Sequence, residues 1–468
     1  MISKLDILDR AAEWNLRPEI VEKDYVLGWL LAGIASLPFR EYWIFKGGTS
    51  IKKCYLETYR FSEDLDFSLL ADAAYSHDAL EGNLRALAEH VAELSGLQFP
   101  ADAITLRARR NRQGQETFEG RMGYRGPLAY PGTPKILFDL TQHEPVLDPP
   151  AARAILHPYP DELPTEPGVQ AYSFNELLAE KVRALFERAR PRDLYDVVHL
   201  LENAPQQLNL TAVRALFNRK CESKGFTTPT SQQLLAEVTG NEEMRSEWAN
   251  MLAHQLPALP ELDGMLVKLP GLLAWVDAEA VPALPEARLV AAPGPVGGQR
   301  MVARGIQYRG DNLPLETIRF AGSNRLLVEF DYNGRHRVAE PYSVWQSAGT
   351  GNVLLSAWET TETHIKHFKV EEMENVRATG KGFSPRYQVE FSETGPVVQA
   401  SMPRPRTATP RTFGNRRISS GGPKYVFECP YCQKQFTHST NNSSLRTHKR
   451  QDGWGDCPGR RGHLLEVR

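Results

Sequence analysis

FKGGTSIKKCYLETYRFSEDLDFSLL, residues 45–70, is the stretch that decides the fold of the first half of the chain. It opens with GGTS at 47–50, between a short predicted strand over 42–46 and a helical segment. Glycines in such a turn let backbone N–H groups approach phosphate oxygens, and the amino end of the following helix favours an anion. The hydroxyl of Ser50 can add a donor. The pattern therefore predicts a turn that holds phosphate.

Two aspartates, Asp64 and Asp66, follow on a second predicted strand over 64–69. Residues i and i+2 of a strand project from one face, so these carboxylates would repel each other unless a cation lies between them. Mg²⁺ prefers carboxylate oxygens together with substrate phosphates. A phosphate turn followed by this pair is the minimum equipment for metal-assisted nucleotidyl transfer. The alternative is a strand–turn–helix unit with a solvated acidic edge.

A third carboxylate, Asp139, stands in KILFDLT, a predicted strand over 135–141. A charge on a core strand is costly unless it is paired or bound to metal, so Asp139 is a candidate to complete the metal site. The alternative is an aspartate near solvent at a strand end. Several arginines precede this strand and could hold an RNA acceptor, or could belong to a solvated hairpin. They are Arg107, Arg109, Arg110, Arg112, Arg121 and Arg125.

Charged residues also punctuate the apolar helical pattern of residues 175–200, NELLAEKVRALFERARPRDLYDVVHL. Lys181 could neutralise a triphosphate, with Asp193 or Asp196 orienting it. The alternative is a surface helix with ion pairs between neighbouring turns, which also involves Arg188 and Arg192. From these residues alone the surface helix is favoured.

Taken together, these segments resemble the AbiEii-type nucleotidyltransferase toxins, including the MenT-like toxins of bacterial toxin–antitoxin and phage-defence systems. The matching pieces are VEKDY at 21–25, FKGGTS at 45–50, RFSEDLD at 60–66, Glu180-Lys181, and RDLYD at 192–196. The similarity spans about residues 7–275. It implies a polymerase-β-like fold with a helical second half, and the use of an NTP with Mg²⁺.

The resemblance also implies roles for single residues. Asp64 and Asp66 would take metal, with Asp139 as the third expected carboxylate, and Lys181 and Asp196 would support the nucleotide. The residues expected to contact the nucleotide are Lys46, Gly47, Gly48, Thr49, Ser50, Arg192 and Asp193. Ser62 falls where some members of the family carry an inhibitory phosphoserine. Family acceptors include tRNA 3′ ends, although the acceptors of many members are unassigned.

Two Pro- and Gly-rich stretches without apolar periodicity, residues 281–299 and 401–423, are predicted linkers. They divide the chain into a transferase region, a second block and a tail. The predicted extents are 1–280 for the transferase, with a mixed core over 1–150 and a helical half over 165–280, then 300–395 and 424–468. We therefore expect a multidomain α+β protein.

The second block alternates like strands, and Asn333-Gly334 is a strong hairpin signal. It is expected to be all strand and turn. Segments such as residues 306–308, 328–332 and 354–358 resemble a WYL-type domain, although NVL at 352–354 stands where that family has Trp-Tyr-Leu. This similarity implies a small SH3- or Sm-like barrel that binds nucleic acid or a regulatory ligand. The alternative is a structural barrel for docking. Arginines expected on its faces are Arg304, Arg309, Arg319, Arg335 and Arg337.

The tail is too short for an apolar core of its own and is expected to need a cross-link, such as a bound metal ion, in order to fold. Cys429 and Cys432 form a knuckle, and His448 and Cys457 follow at suitable distances, which predicts tetrahedral Zn²⁺. His438 and His463 are rival ligands, and the alternative is three unrelated reduced cysteines. From Ser401 to Arg468 there are 13 Lys and Arg against four Asp and Glu, which points to nucleic acid.

Composition sets the outer limits. Of 468 residues, 41% are hydrophobic and 24% charged, which excludes a wholly disordered chain, and five cysteines exclude a disulfide scaffold. The sequence has neither a membrane-span pattern nor a signal-peptide pattern, so we expect a cytoplasmic protein. The preferred function is Mg²⁺-dependent transfer of NMP from NTP to RNA, with a cognate antitoxin as a candidate partner. The rivals are a nucleotide-binding regulator and an enzyme that modifies a protein hydroxyl.

Overall fold

A computed structural model describes residues 1–71, 75–110, 114–164, 168–204, 208–301 and 314–391. In the tail it describes residues 425–429, 432–438, 443–449, 457–458, 460 and 463–467. The chain divides into two compact units, Met1–Ala400 and Ser401–Arg468. Along the described residues, no helix combines the length and the apolar character needed to cross a membrane.

Among the described residues, helices and strands are intermixed along the first 170 residues. Further along the chain, a run of helices is followed by a run that consists mainly of strands. The helices are α1 Lys4–Glu13, α2 Pro18–Ser36, α3 Gly47–Cys54, α4 His77–Ser95, α5 Phe174–Arg188, α6 Pro191–Glu202, α7 Leu210–Ser223, α8 Ser231–Gly240, α9 Glu242–Ser246, α10 Trp248–Leu252, α11 Leu262–Leu273 and α12 Leu315–Ser323. The strands of the larger unit are β1 Trp43–Lys46, β2 Asp64–Leu69, β3 Ile104–Arg110, β4 Glu116–Gly123, β5 Lys135–Thr141, β6 Ala151–Arg153, β7 Val169–Ala171, β8 Gly298–Met301, β9 Leu326–Tyr332, β10 Arg335–Ser347, β11 Val353–Glu359, β12 His364–Lys369 and β13 Glu374–Gly382. Those of the tail are β14 Tyr425–Glu428, β15 Gln435–His438 and β16 His463–Val467.

The transferase region is built on a mixed sheet in the order β3-β4-β5-β2-β1-β7-β6. Strands β2 and β5 run parallel, and β1 pairs antiparallel with β2. Alternation of apolar and polar residues gives the sheet two unlike faces: Leu65 and Phe67 of β2 and Phe138 and Leu140 of β5 are fully buried. The polar residues between them form the opposite face. The sheet thereby holds the carboxylates on one surface.

Most element predictions for this region are confirmed. The strands predicted over 64–69 and 135–141 have these bounds, and the strand predicted over 42–46 begins one residue later. The helical half is confirmed from Phe174 onward. However, β7 at Val169–Ala171 pairs with β1, so residues past 165 still belong to the sheet. A three-residue strand is too short to leave a periodic signal.

In the second block, β8 to β13 form a sheet with the path β12-β11-β10-β9-β13, and β8 pairs with the distal part of β10. The predicted hairpin is confirmed: Asn333 and Gly334 both have positive φ in a two-residue loop between β9 and β10. The path is open among the described strands, because β12 and β13 do not pair, so a closed barrel is not confirmed.

The expectation that the second block is all strand and turn is wrong, because α12 precedes its main hairpin. Arg319, expected on an exposed face, lies on this helix and is 2% exposed. It donates to Glu57 of the transferase region at 2.8 Å and to Glu316 at 2.7 Å. The helix was missed because its pattern is short. Arg304, Arg309 and residues 306–308 lie outside the described residues.

Residues 281–299, predicted as a linker, contact the rest of the larger unit. Glu286 forms an ion pair with buried Arg325 at 2.6 Å, and the carbonyl of Val290 accepts from the backbone of Gln388 at 2.8 Å. Arg325 also donates to the side chain of Asn203, on the transferase side, at 3.1 Å. The segment is therefore held in place, while the domain bounds themselves remain predictions. The second predicted linker, 401–423, is outside the described part of the chain.

Candidate active site

The junction of β1 and α3, where GGTS at 47–50 forms the first turn of the helix, approaches Asp66 closely. Gly47 has φ +77°, and a Cβ there would lie 2.0 Å from Oδ2 of Asp66. A Cβ on Gly48 would lie 3.0 Å from both Nη2 of Arg60 and Oγ of Ser62. Glycine is required at position 47 both for the backbone conformation and for the space. The turn, Asp66, Arg60 and Ser62 therefore form one continuous surface.

The two hydroxyls of the turn have different surroundings. Thr49 donates from Oγ1 to the backbone carbonyl of Asp64 at 2.5 Å, so its hydroxyl ties α3 to β2. Ser50 is fully buried, and its Oγ has no hydrogen-bond partner among the described residues. A buried hydroxyl without a partner is uncommon in a folded protein. Ser50 thus has donor capacity left at the amino end of α3.

Three carboxylates meet on the polar face of the sheet. Asp66 of β2 and Asp139 of β5 are direct register partners, and Asp64 is two residues earlier on β2. Register partners project to the same side, as do residues i and i+2. Asp139 is exposed, whereas Asp64 and Asp66 are half-buried. The expectation of a core position for Asp139 is corrected: its strand is buried on the other face only.

The environment of the pair disfavours negative charge. Burial raises the pKa of Asp66 to about 6, and Asp139 and Asp64 add to the rise while Lys46 opposes it. Burial also raises the pKa of Asp64, with contributions from Glu63 and Asp139. Crowded carboxylates that resist ionisation are what a bound cation relieves. The donor set therefore fits a divalent metal such as Mg²⁺.

Lys46, at the end of β1, has an acidic partner that the sequence did not indicate. Its Nζ forms an ion pair with Glu144, and both residues are buried. Burial opposes the charged form of Lys46, but Glu144 outweighs it and raises the pKa of the lysine. Lys46 stays a cation beside Asp66.

Asp196 is a buried carboxylate that pairs with two cationic side chains of the site. It accepts from Nε of Arg60 at 2.7 Å and from Nη2 of Arg60 at 2.9 Å, and Nζ of Lys181 lies 2.7 Å from it. Burial would raise its pKa, but Arg60 and Lys181 together lower it well below the usual range. Of the two aspartates considered as partners of Lys181, the structure brings Asp196 to the lysine. The aspartate holds two cations in fixed positions.

Asp193 and Arg192 occupy other positions on α6. Asp193 accepts two hydrogen bonds from Arg188, both of 2.7 Å, and so does not contact Lys181. Arg192 donates to the carbonyl of Met251 at 3.3 Å. Burial lowers the pKa of Arg192, as does Arg60, while Asp196, Glu63 and Asp64 act in the opposite direction. Arg192 therefore lies within electrostatic reach of the carboxylates.

The polar face continues from the carboxylates onto the predicted basic hairpin. Across β2, β5, β4 and β3 the register places Asp66, Asp139, Glu119 and Arg107 in one row. Glu119 pairs with Arg109 at 2.8 Å and with Arg121 at 2.8 Å. Of the other arginines predicted to hold an RNA acceptor, Arg110 and Arg125 are exposed, and Arg112 lies outside the described residues. Arg107, Arg109 and Arg121 thus share the sheet face of the carboxylates, which spacing alone did not show.

The four tail residues predicted to bind zinc also lie together. One ligand atom from each of Cys429, Cys432, His448 and Cys457 lies within 4.8 Å of the others. The rival His438 is not part of this group, and neither is His463. The buried thiols Cys54 and Cys221 lie in the larger unit, as expected.

Sequence reasoning missed Glu144, Glu119 and the role of Arg60. Arg60 belonged to a recognised motif but carried no assignment, and its spacing from Asp196 along the chain gave no hint of contact. Glu119 was hidden among the arginines of the hairpin. If the strand pairing had been known, the register of Glu119 opposite Asp139 would have identified it as a residue of the site.

Comparison with known proteins identifies a family that matches this part of the chain. The profile of the family described as nucleotidyl transferase AbiEii toxin, type IV TA system, matches residues 29–278. Among solved structures, the nucleotidyltransferase toxin MenT4 of Mycobacterium tuberculosis aligns at 20% identity with a TM-score of 0.38, covering 60% of this chain and 91% of that one. No curated protein matches.

The matched residues include the phosphate turn, all three carboxylates and both aspartates of α6, and they make up more than half of the chain. The resemblance inferred from the sequence motifs is therefore confirmed. The chain belongs to the AbiEii family of nucleotidyltransferase toxins and is a nucleotidyltransferase.

Proposed function

We propose that the enzyme uses Mg²⁺ to transfer NMP from an NTP to a hydroxyl of RNA, with a tRNA 3′ end as the leading acceptor. The observation that carries this proposal is the cluster of Asp64, Asp66 and Asp139 on one sheet face, directly against the Gly47 turn. Bound Mg²⁺ would neutralise charge on the phosphates and on the attacking and leaving oxygens.

The residues of this chain would position the nucleotide. Backbone N–H groups at the amino end of α3, with Gly47 and Gly48, face an anion, and the Ser50 hydroxyl has donor capacity to add. Lys181, held by Asp196, would lie against the leaving pyrophosphate, and Arg192 would contribute further positive charge. Lys46 would keep its charge near the phosphates.

Transfer forms one bond and breaks another. An oxygen of the acceptor hydroxyl attacks the α-phosphorus while its proton passes to water. The bond from the α-phosphorus to the bridging oxygen breaks, and pyrophosphate leaves with the electron pair. Fixed cations at Lys181 and Arg192 would stabilise the negative charge that develops on the leaving group.

An RNA acceptor is supported by the row of residues that leads away from the carboxylates. Arg107 is exposed, stands in register with Glu119 and Asp139, and has Arg109 two residues further along its strand. A phosphate backbone lying over β3 and β4 would bring its terminal hydroxyl to Asp139. The basic tail, whose Lys434, Arg446, Lys449 and Arg460 are exposed, would add salt-dependent affinity for nucleic acid.

Labelling with each α-labelled NTP in the presence of total cellular RNA and protein tests the function. We expect label in the RNA fraction, and none with the Asp64→Asn variant. Label in protein would favour the protein-modifying enzyme. If pyrophosphate is not released with either fraction, the nucleotide-binding regulator is the better interpretation.

Growth tests the biological role as a toxin or phage-defence effector with a cognate antitoxin. We expect the wild type to slow bacterial growth when expressed alone, and the Lys181→Ala variant not to, because the lysine would no longer oppose pyrophosphate charge. Equal growth of both strains would count against toxicity under these conditions.

Ser62 is proposed as a regulatory site. Its Oγ lies against Gly48 of the phosphate turn, so a phosphoryl group there would compete with the nucleotide for the same N–H groups. We expect Ser62→Glu to reduce transfer at least tenfold, chiefly through a higher KM for NTP, whereas Ser62→Ala stays close to wild type. Similar KM values for both variants would exclude this mode of inhibition.

A further inference from the structure

The tail contains a site that the transferase reaction does not use. Among the described residues of the tail, the hydrophobic cluster consists of Phe427, Cys429, Leu445 and Cys457, so two of its four members are cysteines. A segment with so few apolar side chains does not bury enough surface to fold unaided. The close approach of the cysteines therefore needs an explanation in cysteine chemistry, either a disulfide or a shared metal ion.

A disulfide does not explain the cluster. Sγ of Cys429 and Sγ of Cys457 lie 3.6 Å apart, which is well beyond a covalent S–S bond of about 2.05 Å. Thiolates bound to one tetrahedral zinc ion, with Zn–S of about 2.3 Å, would lie about 3.8 Å apart. The separation therefore fits two sulfurs on one metal ion.

Backbone hydrogen bonds between described residues bring the ligands together in two pairs. The N–H of Cys429 donates to the carbonyl of Lys434 at 3.0 Å, and the N–H of Gln433 donates back to the carbonyl of Cys429 at 2.8 Å, which folds the knuckle around Cys432. The N–H of Cys457 donates to the carbonyl of His448 at 2.7 Å. These bonds place two ligands on each side of the group.

The histidine is oriented as a metal ligand. Nδ1 of His448 lies 2.7 Å from the carbonyl of Arg446, and because a carbonyl can only accept, Nδ1 carries the proton. With Nδ1 as the donor, Nε2 is the atom that holds the lone pair of the neutral ring. This atom is buried, and it has no hydrogen-bond partner in the part of the chain that the structure describes. A backbone carbonyl on the far nitrogen is the usual support of a ligating histidine.

We propose that Cys429, Cys432, Cys457 and Nε2 of His448 bind one Zn²⁺ ion in a closed structural site. Three sulfurs and one imidazole nitrogen suit zinc, and four protein ligands leave no position for substrate. The metal replaces the missing apolar core of the tail. The site lies in Ser401–Arg468, outside the residues matched by the family profile.

The test is the metal content of the full-length protein, purified without chelator. We expect about one equivalent of zinc in the wild type and less than about 0.2 in Cys429→Ala, Cys457→Ala and His448→Ala. His448→Cys should keep the metal, because it restores a fourth ligand. Matched controls are Cys221→Ala, a buried thiol of the other unit, and His438→Ala and His463→Ala, the rival histidines; all three should keep zinc.

Cobalt substitution reports on the ligands independently of folding. Protein loaded with Co²⁺ should show visible bands of a tetrahedral ion together with sulfur-to-cobalt charge transfer. A wild type with no stoichiometric metal would overturn the proposal. So would loss of zinc in His438→Ala with retention in His448→Ala, or iron with acid-labile sulfide in place of zinc.

Discussion

At the scale of the residue, Asp66 carries a negative charge that the folded chain disfavours. Its folded-state pKa is raised to about 6, above the usual aspartate value, so its ionisation costs folding free energy above that pH. Below about pH 4 the carboxyl is protonated in both folded and unfolded chains, and the cost disappears.

We therefore predict that Asp66→Asn abolishes transfer yet unfolds at a higher temperature than the wild type in metal-free buffer at pH 7. This advantage should shrink as the pH falls from 6 towards 4. Adding Mg²⁺ should raise the midpoint of the wild type and not that of the variant, because the variant has lost a ligand. Thermal unfolding across this pH range, with and without Mg²⁺, measures both effects. A variant that remains active would show that Asp66 is not a metal ligand.

Asp196 and Asp193 differ in what they hold. Asp196 is fully buried between Arg60 and Lys181, whereas the partner of Asp193, Arg188, has a side chain that is 48% exposed. We predict that Asp196→Asn costs about 3–5 kcal/mol of unfolding free energy, because it strands two buried cations. Asp193→Asn should cost no more than about 2 kcal/mol, since Arg188 can turn to water.

Urea denaturation of the two variants decides the comparison. Lys181→Met combined with Asp196→Asn should recover part of the loss, because one stranded charge is removed. Equal destabilisation by the two asparagine variants would contradict the central position given to Asp196.

At the scale of the element, the β1–α3 turn depends on one glycine for two reasons. Gly47 and Gly225 have similar positive φ values, +77° and +81°, but only Gly47 meets another residue where a Cβ would stand. Alanine at either position strains the backbone by about 1 kcal/mol. Only at position 47 does it also collide with Asp66.

We predict that Gly47→Ala abolishes nucleotide transfer, because the turn must move away from Asp66. Gly225→Ala, the matched control, should lose about 1 kcal/mol of stability and keep its activity. Steady-state kinetics with NTP, alongside denaturation, measures both. If Gly47→Ala retained activity, the turn would not be the phosphate site.

Elements with a strong local signal could be predicted from sequence. The strand over 64–69 alternates apolar and polar residues over its whole length, the strand over 135–141 does so except at Leu137, and Asn333-Gly334 favours one turn type. Helix α12 was missed because nine residues give few helical repeats. The grouping of Cys429, Cys432, His448 and Cys457 could be predicted from their spacing along the chain, and the structure brings these four ligand atoms together.

At the scale of the whole molecule, the second block contacts the transferase region through buried arginine side chains. Arg319 lies between Glu57 and Glu316, and the side chain of Arg325 reaches Asn203, at the end of α6. Tyr195 of α6 donates to Asn324 at 2.7 Å. Because α6 also carries Asp196, the same helix contacts the site and the second block.

We predict that Arg319→Ala destabilises the larger unit by about 3–5 kcal/mol, since it removes the buried guanidinium that pairs with both Glu57 and Glu316. The loss should appear in a single unfolding transition that covers both regions. Arg335→Ala, an exposed arginine of the same block, is the control and should change stability by less than about 0.5 kcal/mol. Two separate transitions in the wild type would show that the regions fold independently.

The sequence by itself determined which residues share a face within a strand of clear alternation and which chemistry a motif such as GGTS or the aspartate pair offers. Asp64 and Asp66 share a face because a strand alternates, and GGTS can open helix α3 directly after β1 because Gly47 permits the positive φ at that junction. Only the tertiary structure decided which elements become neighbours. Parallel pairing of β2 with β5 brings Asp139 to Asp66, and helix packing gives Lys181 to Asp196. The physical reason is that periodicity is encoded within a few residues, whereas strand order and helix packing depend on burial of the whole core.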